Sequence, residues 1–133
     1  MRYLLAYVGS GVIMGVLDAI WLTRMAPRIY QPAIGELLAP RPNMAAAIAF
    51  YLIYVFGIVA LAVLPALREG SMLRAATLGA IVGLVAYATY DLTNQATLRV
   101  WPLHLTLIDI AWGVFLTTAA ALGGYWLAAR FAS

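Results

Sequence analysis

Four stretches of this chain, residues 3–23, 44–67, 72–94 and 103–129, are apolar over lengths that cross a hydrocarbon layer, and no other feature restricts the fold so strongly. About 20 consecutive apolar residues in a helix span the roughly 30 Å core of a bilayer. Inside that core every backbone N–H and C=O needs a partner within the protein, which leaves helices as the solution for runs of this length. The expected fold class is therefore all-α: a polytopic membrane protein built as a four-transmembrane-helix bundle. Composition agrees, with 65% hydrophobic and 10% charged residues and a mean hydropathy of +0.95, outside the range of soluble domains. The spans use most of the 133 residues, so a single transmembrane domain over 1–133 is expected. Arg2 followed by an apolar run has the look of a signal peptide. Asp18 and Trp21 occupy the place where a small-residue cleavage site would be needed, so the first segment reads as an uncleaved span.

The connections are readable from their prolines. Pro27, Pro32, Pro40 and Pro42 in the first connection argue against one continuous helix there. Between them Ile29, Tyr30, Ala33, Ile34, Leu37 and Leu38 recur at helical spacing, which predicts a short interfacial helix between the first and second spans. Asn43 is placed to cap the second span, the region of Pro65 to lead the chain out of it, and Pro102 to open the fourth. The tight turn at Arg68–Ser71 predicts an antiparallel hairpin of the second and third spans.

All eight basic residues are arginines. In so apolar a chain they are interfacial anchors rather than a nucleic-acid surface. They divide equally between the two sides: Arg2, Arg68, Arg74 and Arg130 against Arg24, Arg28, Arg41 and Arg99. The N-terminal amine tips this tie toward both termini lying in the cytoplasm. The absence of cysteine excludes disulfides and thiolate metal sites.

Within the apolar segments stand three aspartates, Asp18, Asp91 and Asp109. Successive spans run in opposite directions, so late positions on the first and third match an early position on the fourth. At about 1.5 Å per residue, Asp18 is roughly 24 Å from Arg2, Asp91 roughly 25 Å from Arg74 and Asp109 roughly 10 Å from Pro102. All three then fall on one side of the membrane, below the headgroups, where a carboxylate must face protein or water.

Aromatic and amide side chains accompany them. Asp18-x-x-Trp21 on the first span and Asp109-x-x-Trp112 on the fourth repeat one pattern, and an indole N–H can donate to a carboxylate. Belt and packing roles would also account for these tryptophans. The third span carries Tyr87, Tyr90, Asp91 and Asn94 in a stretch too polar to meet lipid without penalty, so it lines an interior, a wet cavity or the interface. Tyr51 and Tyr54, with Phe50, start at the same level of the second span and can wall a cavity. The candidate ligand-binding set is thus Asp18, Trp21, Tyr51, Tyr54, Tyr87, Tyr90, Asp91, Asn94, Asp109 and Trp112. Arg24, Arg28 and Arg99 lie on the same side; turned inward they neutralise the aspartates, turned outward they leave the carboxylates to take a cation or a proton. No cofactor and no metal is expected, because His104 is the only histidine and lies on a different face from Asp109. Gly11-x-x-x-Gly15 and Gly79-x-x-x-Gly83 are candidate close helix contacts.

Several stretches together carry a resemblance. They are Leu17-Asp18-x-x-Trp21-Leu22, Tyr30 with Ile34-Gly35, Phe50-Tyr51-x-x-Tyr54, Tyr87-Ala-Thr-Tyr-Asp91-Leu-Thr-Asn94, Trp101-Pro102 and Asp109-Ile-Ala-Trp112-Gly113. Over nearly its full length the chain resembles the small bacterial four-span inner-membrane proteins grouped as a domain of unknown function. The resemblance implies a four-helix fold in a bacterial inner membrane and supplies no substrate. Three functional readings follow from the residues. One is binding or moving a small cationic or lipidic ligand at an acidic and aromatic cavity. Another is a lipid-modifying enzyme with Asp91 or Asp109 as base and Tyr87 or Tyr90 as acid. The third is an accessory subunit of a larger membrane complex. The partners expected are membrane lipids, a small-molecule ligand, and a second copy or a larger complex, with no nucleic acid.

Overall fold

The computed structural model describes residues 1–132. Four long helices are apolar enough to cross a membrane: α1 (Arg2–Met25), α2 (Met44–Glu69), α3 (Met72–Thr97) and α4 (Leu103–Phe131). Each extends the span expected from sequence by a few residues, and among the described residues there is no strand. This is a multi-pass membrane protein.

The short helix expected between the first two spans is present, but as a continuation of α1. The chain stays helical through a wide π turn at Ala26–Tyr30, an α turn at Gln31–Ile34 and a 3-10 turn at Gly35–Leu37. A second π turn, Val59–Val63, interrupts the α geometry of α2, and Pro65 does not end that helix as the sequence suggested. Both departures have one cause. A proline ring collides with the carbonyl four residues back and has no N–H to give it. For Pro32 and Pro65 that carbonyl belongs to a residue inside a π turn, and the residue before each proline, Gln31 or Leu64, donates to the carbonyl five residues back, on Ala26 or Val59. Widening the turn moves the obstructed carbonyl aside and lets the helix pass through the proline.

Helix α2 ends instead at Gly70, in the left-handed region with φ 62° and ψ 35°, while the Ser71 N–H reaches back to the Ala66 carbonyl at 3.0 Å. This is a glycine-terminated cap, strained for any residue with a Cβ. Ser71 at once caps α3 by accepting from the Arg74 N–H, as Asn43 caps α2 by accepting from the Ala46 N–H.

Helix α4 is the centre of the bundle, packed along α1 on one side and α3 on another. The α3 contact runs over small residues: a Cβ built on Gly83 would lie 2.6 Å from the Gly113 carbonyl oxygen, and one on Gly79 2.9 Å from the Ala121 Cβ. On α1 the expected Gly11–Gly15 pair is not the contact. A Cβ on Gly15 would meet nothing within 4 Å. The buried stripe of α1 is Ala6, Ser10, Met14 and Asp18, with Ser10 Oγ donating to the Ala120 carbonyl at 2.8 Å and Gly9 against Gly123 and Gly124. Leu22, one turn beyond Asp18, is exposed.

The hairpin of α2 and α3 is closed only near its turn. The segment Val59–Glu69 packs on α3, whereas Met44–Ile58 hardly touches it and leans toward α1, where the Tyr7 hydroxyl donates to the Leu52 carbonyl at 2.9 Å. The two helices therefore part on the side of the molecule that carries the aspartates.

Candidate functional site: an acidic cavity walled by aromatic rings

The three aspartates are buried, with Asp18 8%, Asp91 0% and Asp109 7% exposed. Their partners come from neighbouring elements. Asp18 accepts from the Trp112 indole N–H at 3.1 Å and from the Tyr51 hydroxyl. Asp109 accepts from the Tyr30 hydroxyl at 2.5 Å, and that oxygen in turn accepts from the Trp21 indole N–H at 2.9 Å. The two Asp-x-x-Trp patterns thus interlock crosswise: Trp112 of α4 serves the aspartate of α1, and Trp21 of α1 serves the aspartate of α4 through Tyr30. Between them the indoles stack face to face, with centroids 4.3 Å apart and planes 8° from parallel.

Tyr30 reaches this place because of the π turn. In a straight α-helix, nine residues rotate through about two and a half turns, which would put Tyr30 on the opposite side from Trp21. The wide turn bends the connection back over the end of the bundle, and Ile34 buried with Trp101 and Leu105 fastens it there. The amphipathic spacing of the connection placed Tyr30 on an apolar face, but the destination of its hydroxyl depends on that bend.

Asp91 is different. Neither carboxyl oxygen has a donor, and one turn further along α3 the buried Gln95 Oε1 lacks one too. The register of α3 on α4, with Gly79 against Ala121, Gly83 against Thr117 and Tyr87 against Gly113, brings Asp109 opposite Asp91 one turn further on. Arg24, Arg28 and Arg99 point outward and are exposed, and the one ion pair among the described residues, Arg74–Glu69 at 3.0 Å, lies at the opposite end of α3. Asp18 and Asp109 are held by neutral donors alone.

A cavity of about 740 Å³ opens beside them. Of the residues singled out by sequence, Asp18, Trp21, Tyr54, Tyr87, Tyr90, Asp109 and Trp112 line it. Tyr51 stands behind Asp18 as its donor, Asp91 is enclosed beside Asp109, and Asn94 is half-buried outside the lining. Phe50, expected beside Tyr51 and Tyr54 as a cavity wall, lines it too, whereas sequence reasoning did not include Tyr30 and Trp101 in the site, nor the Leu38, Ala39 and Pro42 stretch that forms part of the rim. Trp101 sits in a link without periodicity, its ring edge-on to Tyr90 at 5.7 Å and its N–H donating to Thr106 Oγ1 at 3.1 Å. Gly113 has a plain reason: the Tyr87 ring occupies the space where a Cβ would project.

Of the three places open to the polar stretch of α3, an interior, a wet cavity or the interface, its threonines do not occupy the interior. Thr89, Thr93 and Thr97 are exposed, and each hydroxyl donates to a carbonyl one turn back on its own helix. Threonine can satisfy itself in this way and so tolerate lipid. His104 is exposed, and no group of three potential metal ligands converges among the described residues.

Residues 3–126 match the model of a family described as "Predicted membrane protein (DUF2177)". Neither the curated proteins nor the solved structures contain a match to this chain. With nearly its whole length covered, the chain belongs to the DUF2177 family of predicted membrane proteins.

Proposed function

We propose that this protein binds an amphiphilic small molecule with a cationic head, taken up from the membrane into the cavity bounded by the four helices and the connection after α1. The observation that carries this reading is the pair of carboxylates at the cavity wall, Asp18 and Asp109, each bonded only by neutral donors and neither met by an arginine. Buried negative charge without a counter-ion favours a ligand that brings a positive one. The rings of Trp21, Tyr54, Tyr87, Tyr90 and Trp112 supply faces to which a quaternary or primary ammonium is attracted. Apart from Tyr30 and Gln31 the remaining lining is apolar, and the volume falls within the roughly 300–1,000 Å³ of small-molecule sites. Lipid is the expected source, because Phe50 on α2 and Tyr90 on α3 are cavity residues that are also exposed, on the two helices that part there. Acid–base chemistry on a lipid has less support, since among the described residues neither the Tyr87 nor the Tyr90 hydroxyl hydrogen-bonds to an aspartate. In the same reading both termini face the cytoplasm of a bacterial inner membrane, which puts the cavity on the outer side.

Melting of the purified protein in a neutral detergent, with added dodecyltrimethylammonium or with dodecanol, tests this. The ammonium should raise the melting temperature and dodecanol should not, and Asp18→Asn should remove the difference. An equal response to both compounds in the wild type counts against the reading.

A further inference from the structure

The three aspartates are not equivalent, and the difference lies in their hydrogens. Asp18 receives two donors and Asp109 one, whereas Asp91, wholly enclosed, receives none. The other fully buried polar side chains are satisfied: Ser10 donates to a carbonyl, Thr106 accepts from Trp101, and Thr117 pairs with Tyr54. Against that background three unpartnered acceptor atoms, both oxygens of Asp91 and Oε1 of Gln95, stand together on one face of α3. A buried acceptor without a donor is unfavourable, and an ionised carboxylate in that position more so. What this corner lacks is a hydrogen.

The groups around Asp91 limit where that hydrogen comes from. Helix α4 presents Asp109, opposite Asp91 in the register set by Gly79 against Ala121, Gly83 against Thr117 and Tyr87 against Gly113. The connection presents Tyr30, its proton already directed to Asp109. Helix α3 itself contributes Tyr87, Tyr90 and Gln95, helix α1 Asp18 and helix α2 Tyr51 and Tyr54, and no arginine or histidine bonds to an aspartate among the described residues. Two carboxyl groups bond to each other only when one of them carries a proton.

The geometry points to a proton-binding site: Asp91 and Asp109 together hold one exchangeable proton, and the cation that enters the cavity displaces it. Asp109 belongs to both sites, since it borders the cavity and lies opposite Asp91 on the packed face of α3 and α4. When the proton leaves the pair, one cation takes its place beside Asp109, so that one positive charge is exchanged for another. The displacement rests on the cation reading of the cavity; the shared proton does not.

Two measurements separate these parts. Infrared spectra of the ligand-free protein at neutral pH should show the carbonyl stretch of a protonated carboxyl group, shifted in deuterium oxide, lost in Asp91→Asn and retained in Asp18→Asn. No such band in the wild type, or a band unchanged in Asp91→Asn, overturns the shared proton, and the wild-type spectrum decides even if the variant fails to fold. Calorimetry with dodecyltrimethylammonium in buffers of different ionisation enthalpy should then show about one proton released per ligand bound, and none in Asp91→Asn. Binding without proton release overturns the displacement. Absence of any binding rejects the cation reading, and with it the displacement, while the infrared band still decides the proton.

Discussion

Tyr30 links Trp21 to Asp109, taking the Trp21 N–H on its oxygen and giving its own proton to the carboxylate. Hydrogen bonds to a charged group contribute about 1.5–3 kcal/mol. Tyr30→Phe removes that bond and also strands the Trp21 N–H, so it should lower stability to chemical unfolding in detergent by about 1–3 kcal/mol. A variant as stable as the wild type would show that the connection is held by Ile34 and Trp101 alone. The aspartates were legible in the sequence at this scale because carboxylates are costly in apolar runs and chain direction fixes their depth. Tyr30 and Trp101 were not, since tyrosine and tryptophan are ordinary in membrane proteins and the placement of these two is set by a π turn and a link that spacing does not encode.

Among the elements, the glycines of α1 and α3 show how the same motif carries different weight. Gly83 lies against the backbone of α4, so the methyl of Gly83→Ala has nowhere to go and should destabilise the bundle by about 1–3 kcal/mol. Gly15→Ala meets open space and should stabilise it by about 0.5–1 kcal/mol, through the lower conformational freedom of alanine in the unfolded chain. Comparing the unfolding of the two variants checks both signs, and a loss of stability in Gly15→Ala would mean that this face packs against another copy. The spans themselves were legible because length and hydropathy determine them. Which glycine pair is used was not, because the answer lies on the facing surface of α4. Nor was the passage of helices through Pro32 and Pro65, since the sequence rule concerns α geometry and both sites escape it through a wider turn.

On the scale of the molecule, α1, α3 and α4 form a closely packed set and α2 is fastened to α3 only from Val59 onward. The part of α2 before Val59 is thus the wall of the cavity that is not packed on α3. Phe50→Cys with Tyr90→Cys places a thiol on each side of the opening in a chain with no other cysteine. Joining them with a short bifunctional maleimide should abolish the thermal shift caused by dodecyltrimethylammonium, whereas capping each with a small monofunctional maleimide should leave most of it. Undiminished binding in the joined protein would place the entrance elsewhere, beneath the Leu38–Pro42 rim.

The stacked indoles of Trp21 and Trp112 have an optical consequence. Near-parallel chromophores 4.3 Å apart share their electronic excitation, so their near-ultraviolet circular dichroism differs from that of two separate tryptophans. Each ring is tied to an aspartate of the opposite helix, directly or through Tyr30. Any event that changes those bonds, whether a ligand arriving or a proton leaving, alters the coupling. The protein therefore carries its own spectroscopic label at the point where its charges are concentrated, and its occupancy can be followed without attaching a dye.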